Sequence, residues 1–474
     1  MIEIYVESMD EAIERNRKQI PAVRKRLEKA GVKYLLCCWI DLLGVPKTKP
    51  VPMWDFDELC LGKGPQFAVH SISFVPELGP ADPDQITIPD LDAVYICPWD
   101  STQAWIFADL YWQGKPYNLC PRSALKRQVA AADKAGFRPM AGVEPEFMVL
   151  RYDEDGRPVK AFDNDPVLPS GKKPRRQAWG YDVEASIDSM GFLGELIDIL
   201  GELKWDLHDV VCEGAYSQFE LDFGYTDVVE MADRLVFLRV LLKEVAKKHD
   251  MFVTYMPKPT LGDWRSGAHI NFSIQNKKTG KNIFGDSKKG WSKEAYNAVG
   301  GLLQHGGSLA AITCSTVNSY KGLVARVPGF VGGVYTWAPT HVTYGPNNRS
   351  AMLRLPQNRY CIENRATDMC MNPYLAMACT TAATVKGIQE KIDPGPELGR
   401  DLYVMTPEEF EKAGVQALPR SLDEATKLLR SDDFFRDVLG EQMHNSFCAY
   451  KEDEWERYSV YISDWEIEEY LRLY

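Results

Sequence analysis

The N-terminal part of the chain combines one helical pattern of apolar positions with several short apolar runs. Residues 9–30 carry apolar side chains at helical spacing among charged ones, which predicts an amphipathic helix. The apolar runs at 33–40, 92–97 and 104–112 predict strands, and the Pro- and Gly-rich segment 63–90 interrupts them. A small β-rich unit is therefore expected at this end of the chain.

The pattern changes after a turn-rich linker at about Gly114 to Pro121. Strands then alternate with long helices, and residues 227–250 show the clearest helical spacing. The uncharged run from about Val299 to Tyr320 contains many polar side chains, so it predicts a buried helix and not a membrane span. We predict an α+β protein with a domain at 1–115 and a larger domain at 116–474.

Composition excludes several classes of function. The 474 residues include 55 Lys plus Arg and 67 Asp plus Glu, and the net charge of −12 argues against nucleic acid or an anionic membrane as the main partner. The N-terminus is charged from its third residue and lacks the apolar core of a secretion signal. The 11 cysteines form no CxxC pair, which indicates buried free thiols in a reducing cytoplasm and no zinc site. We expect a cytoplasmic protein.

Two carboxylates lie close together in an apolar run of the larger domain. Glu144 and Glu146, in "GVEPEFMVL", would point to the same face of a strand because strand side chains alternate. Two like charges held so close repel each other, and burial of an unpaired one is costly. A bound cation would compensate them. The alternative is that they are ordinary solvated or salt-bridged strand residues.

Further residues of the same chemistry follow along the chain. Alternation places His269, Asn271 and Ser273 of "GAHINFS" on one face, and it does the same for Glu363 and Arg365 of "YCIENRATD". The five glutamates and one histidine form an oxygen-rich set that suits Mg²⁺ or Mn²⁺: Glu144, Glu146, Glu213, Glu220, Glu363 and His269.

Three arginines add a second kind of chemistry. Arg349 and Arg354, in "NNRSAMLRLP", flank a predicted turn-to-strand transition, and Arg365 follows. Guanidinium groups suit phosphate and carboxylate because they are always charged and bind in a bidentate way. Divalent ions and several arginines, without a Walker loop, are what phosphoryl transfer to a carboxylate needs.

The order of several motifs resembles that of the glutamine synthetase family. They are "GVEPEFMVL", "EGAYSQFE", "KPTLGDWRSGAHINFS", "NSYKGLV", "NNRSAMLRLP" and "IENRATDMCMNPYLAMA", and the resemblance extends from "WIDLLGVPKTKPVP" to about residue 390. It implies an N-terminal β-grasp domain and a C-terminal catalytic domain whose curved antiparallel sheet, flanked by helices, forms the site. It also implies a homo-oligomeric ring, hexameric or dodecameric, with each active site completed by the neighbour's N-terminal domain.

The same resemblance implies a role for each site residue. Glu146, Glu213 and Glu220 would hold one divalent ion, and Glu144, His269 and Glu363 a second. Asn271 and Ser273 would contact ATP. Arg349, Arg354 and Arg365 would surround the transferred phosphate. Asp41 would be lent to the amine site of the neighbouring subunit.

The implied reaction is a two-step ligation. A carboxylate, expected to be that of L-glutamate, attacks the γ-phosphate of ATP, and an amine then displaces phosphate from the acyl phosphate to give an amide.

Four motifs depart from the family in one direction, toward bulky and apolar side chains. Gly322 of "NSYKGL" replaces the arginine that holds the α-carboxylate of glutamate, and Val331 replaces a flap glutamate that helps to deprotonate ammonium. The family's "GDNGSG" is "GDWRSG" here, which adds Trp264 and Arg265, and its "APGQ" or "TAGQ" is "AYSQ", which adds Tyr216. We therefore predict a γ-glutamylamide-type ligase that prefers a bulky or aromatic amine, such as an aniline, to ammonium. Its acceptor pocket is expected to contain Tyr216, Trp264, Arg265, Arg326, Phe330, Val331 and Trp337, with Arg265 or Arg326 replacing the missing arginine.

Three alternatives remain open from the sequence. A true glutamine synthetase that uses ammonium requires the changes to be drift in mobile loops. A catalytically silent scaffold would show eroded metal ligands, and all six positions are intact. A guanidino-kinase-like phosphotransferase would lack this order of motifs.

Overall fold

The architecture consists of two sheets and the helices packed on them. The structure is a computed structural model, and it describes residues 7–68, 79–162, 169, 180–260, 263–286, 288, 290–325 and 335–474. The helices are α1 (Met9–Lys29), α2 (Phe56–Glu58), α3 (Pro121–Lys134), α4 (Val183–Leu203), α5 (Val228–Lys248), α6 (Lys293–Gln304), α7 (Gly306–Thr313), α8 (Pro373–Glu390), α9 (Pro407–Ala413), α10 (Leu422–Arg430), α11 (Asp433–Leu439), α12 (Glu441–Ser459) and α13 (Asp464–Tyr470).

The strands fall into a first sheet, a second sheet and a short hairpin. Those of the first sheet are β1 (Tyr34–Ile40), β2 (Pro46–Pro52), β3 (Gln66–Phe67), β4 (Gln85–Ile96), β5 (Gln103–Trp112) and β6 (Lys115–Pro116). The others are β7 (Phe137–Tyr152), β8 (Pro158–Lys160), β9 (Leu207–Cys212), β10 (Gln218–Phe223), β11 (Thr226–Asp227), β12 (Phe252–Thr254), β13 (Ala268–Asn276), β14 (Gly285–Asp286), β15 (Gly290–Trp291), β16 (His341–Pro346), β17 (Ala351–Leu355), β18 (Ile362–Asn364) and β19 (Gln416–Ala417).

The first sheet has the order β2-β1-β5-β4-β3, with β6 on β5, and one helix lies across it. β1 and β5 are parallel and the other pairs are antiparallel, which confirms the predicted β-grasp arrangement. The predicted helix at 9–30 is α1, which begins at a capping box formed by Ser8 and Glu11. Part of the Pro- and Gly-rich segment 63–90 is strand: β3 lies within it, and β4 begins at Gln85 and pairs with β5.

The second sheet carries the larger domain and has the order β19-β16-β17-β18-β13-β7-β10-β9. The 16-residue β7 is its central strand and also pairs with β8, β11 and β12. The sheet is mixed and not purely antiparallel as expected, because β16 and β17 pair in parallel. Helices α5 and α8 pack into its core, and α5 confirms the helix predicted at 227–250.

The helix predicted at about 299–320 is in fact two helices and a short 3₁₀ turn. α6 ends at Gln304 and α7 begins at Gly306, and His305 between them has a φ of −113°, which is not helical. The His305 ring lies 2.8 Å from an Asp432 carboxylate oxygen. The absence of charged residues from this run concealed the break, because the polar contact that accompanies it comes from a distant part of the chain.

None of the helices in the described ranges is long and apolar enough to cross a membrane. All 11 cysteines are free thiols, and all but the partly buried Cys370 are buried, as predicted.

A buried ion cluster joins the first sheet to helices α3 and α5, which in turn contact β7 of the second sheet. Arg122 of α3 donates to Asp233 of α5 at 2.8 and 3.0 Å and to Asp109 of β5 at 3.0 Å. Its Nη2 lies 2.9 Å from Asp90 of β4, and Lys126 binds both Asp90 and Asp109. Because Arg122 is only 2% exposed, its removal would leave three buried carboxylates with one cation fewer.

We expect Arg122→Ala to lower the free energy of unfolding by about 3–5 kcal/mol, the usual cost of breaking a buried ion pair. The matched control is Arg17→Ala, because Arg17 pairs with Glu14 at the surface and should cost less than about 0.5 kcal/mol. Urea denaturation of both variants measures the difference. Equal effects would mean that the cluster does not hold the two sheets together.

Candidate active site

A cavity of about 670 Å³ lies on one face of the second sheet. All six predicted metal ligands line it, together with the three predicted phosphate-binding arginines: Glu144, Glu146, Glu213, Glu220, His269, Glu363, Arg349, Arg354 and Arg365. The structure therefore brings together residues that are separated by more than two hundred positions in the chain.

The strand registers place the ligands next to each other. His269 of β13 lies directly opposite Glu144 of β7, and Glu220 of β10 lies opposite Glu146. Directly opposite residues on one face of a sheet have Cβ atoms about 5 Å apart. Glu363 comes from β18, which pairs with β13. β7 contributes two ligands because it is the central strand of the sheet, with β13 on one side and β10 on the other.

Among the residues that the structure describes, three groups of side chains are arranged closely enough to hold a cation. Ligand atoms of Glu144, His269 and Glu363 lie within 4.8 Å of one another, and this group coincides with one of the two predicted sets. In a second group, Glu146 and Glu220 are joined by His269 and not by Glu213. Glu213 lines the cavity from the turn after β9. Hard oxygen donors with one imidazole fit Mg²⁺ or Mn²⁺.

The third group contains a residue that the motifs did not reveal. Asp222 has a carboxylate oxygen within 4.8 Å of ligand atoms of Glu144 and Glu220. The sequence did contain a signal for Asp222, because it stands two residues after Glu220 in "FELDF". This spacing puts Glu220 and Asp222 on one face of β10. Asp222 also faces Asp209 across the β9–β10 pair.

Crowding of these acids shifts their pKa values. Burial and the neighbouring Glu213 raise the pKa of Glu146 to about 8. Burial and Glu146 raise the pKa of Glu220 well above its usual range, and burial with Glu144 raises that of Asp222 to about 7. Burial is the larger cause of these shifts, and a divalent cation among the groups would relieve the repulsion that adds to it.

Arginines hold Glu363 in its ionised form. Burial alone would raise the pKa of this carboxyl, but the guanidinium groups of Arg365 and Arg354 lower it to about 2. Arg354 Nη1 donates to one oxygen at 2.6 Å and Arg365 Nη1 to the other at 2.5 Å. Arg349 also lines the cavity, and within the described ranges no carboxylate forms an ion pair with it.

Arg359 is a further cation that the sequence did not reveal. Its Nη2 donates to Glu144 at 2.8 Å and to the side-chain oxygen of Asn271 at 3.0 Å. It lies between the main cavity and a neighbouring cavity of about 370 Å³. The predicted nucleotide contacts Asn271 and Ser273 line that second cavity.

Two predicted acceptor residues are aromatic side chains in the wall of the main cavity. Trp264 packs against Gly214 so closely that a Cβ there would lie 1.2 Å from its ring, and its Nε1 donates to the Tyr335 carbonyl at 3.1 Å. Trp337 is 57% exposed and adopts a φ of 59°. Tyr181, which no motif indicated, lines the same cavity.

The other residues predicted for the acceptor pocket have different surroundings or lie outside the described residues. Tyr216 does not line the main cavity but a small separate pocket, because the chain reverses at Ser217, where φ is 64°. Arg265 lies in the cavity wall, but its terminal nitrogens bind Thr367, Arg365 and Asp368. Arg326, Phe330 and Val331 lie outside the described residues.

Asp41 is not part of the main cavity of its own chain. It follows β1, accepts hydrogen bonds from the Leu43 and Val45 amides, and lies 3.3 Å from Lys47 Nζ. Burial raises its pKa, against the effect of these partners. Its role in a neighbouring subunit stays a prediction.

In this cavity, carboxylates that could bind cations face guanidinium groups. Such an arrangement is used for phosphoryl transfer to an oxygen nucleophile. This site and this pair of sheets define an ATP-dependent carbon–nitrogen ligase. Residues 118–470 match the catalytic domain of glutamine synthetase. The chain belongs to the glutamine synthetase family.

Individual relatives cover nearly the whole chain. It is 34% identical to a glutamine synthetase of Rhizobium meliloti (strain 1021) over 440 residues, 92% of this chain and 96% of the relative. It is also 34% identical to a glutamate–methylamine ligase of Methyloversatilis universalis over 454 residues, 94% and 98% of the two chains. A solved structure described as a GmaS/ADP complex superimposes with a TM-score of 0.85 at 32% identity, covering 95% of this chain and 99% of the other.

We expect Glu146→Ala to lower turnover by at least about 100-fold while the protein stays soluble and assembled, because the side chain is a predicted cation ligand. The control Glu154→Ala removes an exposed acid from a loop and should leave both properties unchanged. Activity and assembly size are measured on the same preparation. Loss of soluble protein with normal specific activity in the remainder would show that Glu146 is structural.

Proposed function

We propose that the protein joins the γ-carboxylate of L-glutamate to an amine through an acyl phosphate, and that it prefers a bulky or aromatic amine to ammonium. The observation that carries the proposal is the presence of Trp264 and Trp337 in the same cavity wall as the predicted cation ligands and arginines. An amine with an apolar body would bury surface against these rings at roughly 25 cal/mol per Å².

The residues of the second sheet would perform the first step. Mg²⁺ or Mn²⁺ at the clustered glutamates and His269 would neutralise phosphate charge when bound. Arg349 is free of ion pairs within the described ranges and would orient the transferred phosphate. Arg354 and Arg365 face the same cavity, and their contacts with Glu363 fix their guanidinium groups in advance of binding. Asn271 and Ser273 would contact the nucleotide from the adjoining cavity.

The second step needs an uncharged nitrogen. Ammonium is a cation at neutral pH and requires a base, whereas an aromatic amine of low pKa arrives neutral. Val331 provides no carboxylate where the family has a flap glutamate, which favours the neutral amine. The remaining candidate base is Asp41 of a neighbouring subunit, in a homo-oligomeric ring of six or twelve. Its raised pKa suits a group that takes up a proton.

The acid substrate is inferred from a relative. The glutamate–methylamine ligase acts on glutamate by its name and resembles this chain throughout its length. Gly322 removes the arginine expected at the α-carboxylate, and Arg326 is the candidate to replace it. Arg265 is less suited, because its Nη atoms already bind main-chain carbonyls and Asp368.

Ammonium-dependent glutamine synthesis is the second candidate, since the chain is equally identical to a glutamine synthetase. A silent scaffold is disfavoured because all six ligand positions converge on one cavity.

We expect kcat/KM for aniline or an alkylamine to exceed that for ammonium at neutral pH. A coupled ATPase screen of acid and amine pairs, with mass detection of the amide, measures it. Trp337→Ala should lower kcat/KM for an aromatic amine roughly two- to twelvefold, the effect of about 0.5–1.5 kcal/mol of ring contact, and should leave ammonium unaffected. A higher kcat/KM for ammonium in the unmodified protein would refute the proposal.

Val331→Glu should shift the preference toward ammonium, because it restores the carboxylate that helps to deprotonate ammonium in the family. Val331→Gln is the matched control, since it has nearly the same size without the charge. The ratio of kcat/KM for ammonium to that for the best amine is measured for both variants. If the two variants give the same ratio, the charge at this position does not select the amine.

A further inference from the structure

Arg265 is the point at which the two predicted sets of cation ligands are connected. Its main-chain oxygen accepts a hydrogen bond from Gln218 Nε2 at 3.1 Å. The same Gln218 nitrogen lies 3.3 Å from the carboxylate of Glu146. The main chain at Arg265 is therefore tied, through one amide, to a ligand of the first set.

The side chain of Arg265 reaches the segment that carries the second set. Its Nη2 donates to the Thr367 carbonyl at 2.7 Å, and its Nη1 donates to the Arg365 carbonyl at 3.4 Å. These residues stand two and four positions after Glu363, just beyond the end of β18. The guanidinium group of Arg265 therefore binds the stretch of backbone that positions Glu363 and the guanidinium group of Arg365.

The charge of Arg265 is compensated inside the protein. Asp368, which is fully buried, lies 3.4 Å from Nη2. A guanidinium paired in this way has fewer donors to offer a substrate carboxylate than a free one. This pairing favours a positioning role for Arg265 over the substrate-binding role that the sequence suggested.

Gly322 makes room for Arg265. A Cβ at this position would lie 2.5 Å from the Arg265 Cβ and 2.9 Å from its Cδ. The φ of Gly322 is −104°, an angle open to any residue, so the requirement for glycine is steric and not conformational. Any side chain at Gly322 would displace Arg265.

We infer that Arg265 is a positioning residue that fixes Glu363 and Arg365 relative to Glu146, and that Gly322 is glycine in order to admit it. The loss of an arginine at position 322 and the gain of one at 265 are then a single structural change. The inference rests on the ATP-dependent ligation of the family and not on the identity of the amine.

The test measures Mn²⁺ binding by electron paramagnetic resonance in the presence of ADP, without acid or amine. Arg265→Met keeps the stem and removes the donors, and it should weaken Mn²⁺ binding about 10–100-fold, as loss of a supporting contact to a ligand does. Arg265→Lys should recover part of the loss, because its ammonium can still donate to Thr367. Arg239→Met is the matched control: Arg239 also binds two main-chain carbonyls, those of Gly44 and Met371, away from the cation ligands.

A double substitution tests the role of Gly322 directly. Gly322→Ala alone should weaken Mn²⁺ binding, and it should have no further effect when Arg265→Gly has removed the side chain it displaces. Independent, additive effects would show that the two positions are not coupled. If Arg265→Met is insoluble, Arg265→Lys and Gly322→Ala answer the same question.

Two results would overturn the inference. Unchanged Mn²⁺ affinity with a KM for glutamate raised about tenfold would mean that Arg265 binds the substrate carboxylate. Unchanged Mn²⁺ affinity, KM and kcat would mean that it has no role in the site. Because binding is measured without amine, a wrong assignment of the amine leaves this test intact.

Discussion

Repulsion among buried carboxylates is the constraint on which the rest of this structure depends. Five glutamates and Asp222 line one cavity, and the raised pKa values of Glu146, Glu220 and Asp222 reflect the free-energy cost of ionising them together. The protein offsets part of that repulsion with Arg354, Arg365 and Arg359. A stable fold does not need such a cluster, and the divalent cations that we propose for this site would compensate its charge.

Much of the site could be predicted from the sequence, because the period of a strand is fixed. Glu144 and Glu146 share a face for that reason alone, and so do His269, Asn271 and Ser273. Which strands lie side by side does not follow from spacing, and the order of motifs supplied that information. Asp222 was missed although it obeys the same alternation, because it stands outside the residues that the motifs single out.

Contacts between distant residues account for what could not be predicted. The break between α6 and α7 is accompanied by a contact of His305 with Asp432, far away in the sequence. The fit of Trp264 against Gly214, and of Arg265 against Gly322, depends on distances of a few ångströms between separate loops. Both substitutions were visible in the sequence as departures from a family, but their structural pairing was not. In the case of Arg265, the contacts favour the positioning role that we infer over the expected substrate role.

The most direct test of the account is anomalous diffraction at the manganese edge from crystals grown with Mn²⁺ and ADP. The account predicts at least two manganese peaks in the main cavity, one within coordination distance of Glu144, His269 and Glu363, the other beside Glu146 and Glu220. A cavity without manganese, in which arginine side chains alone neutralise the carboxylates, would contradict it.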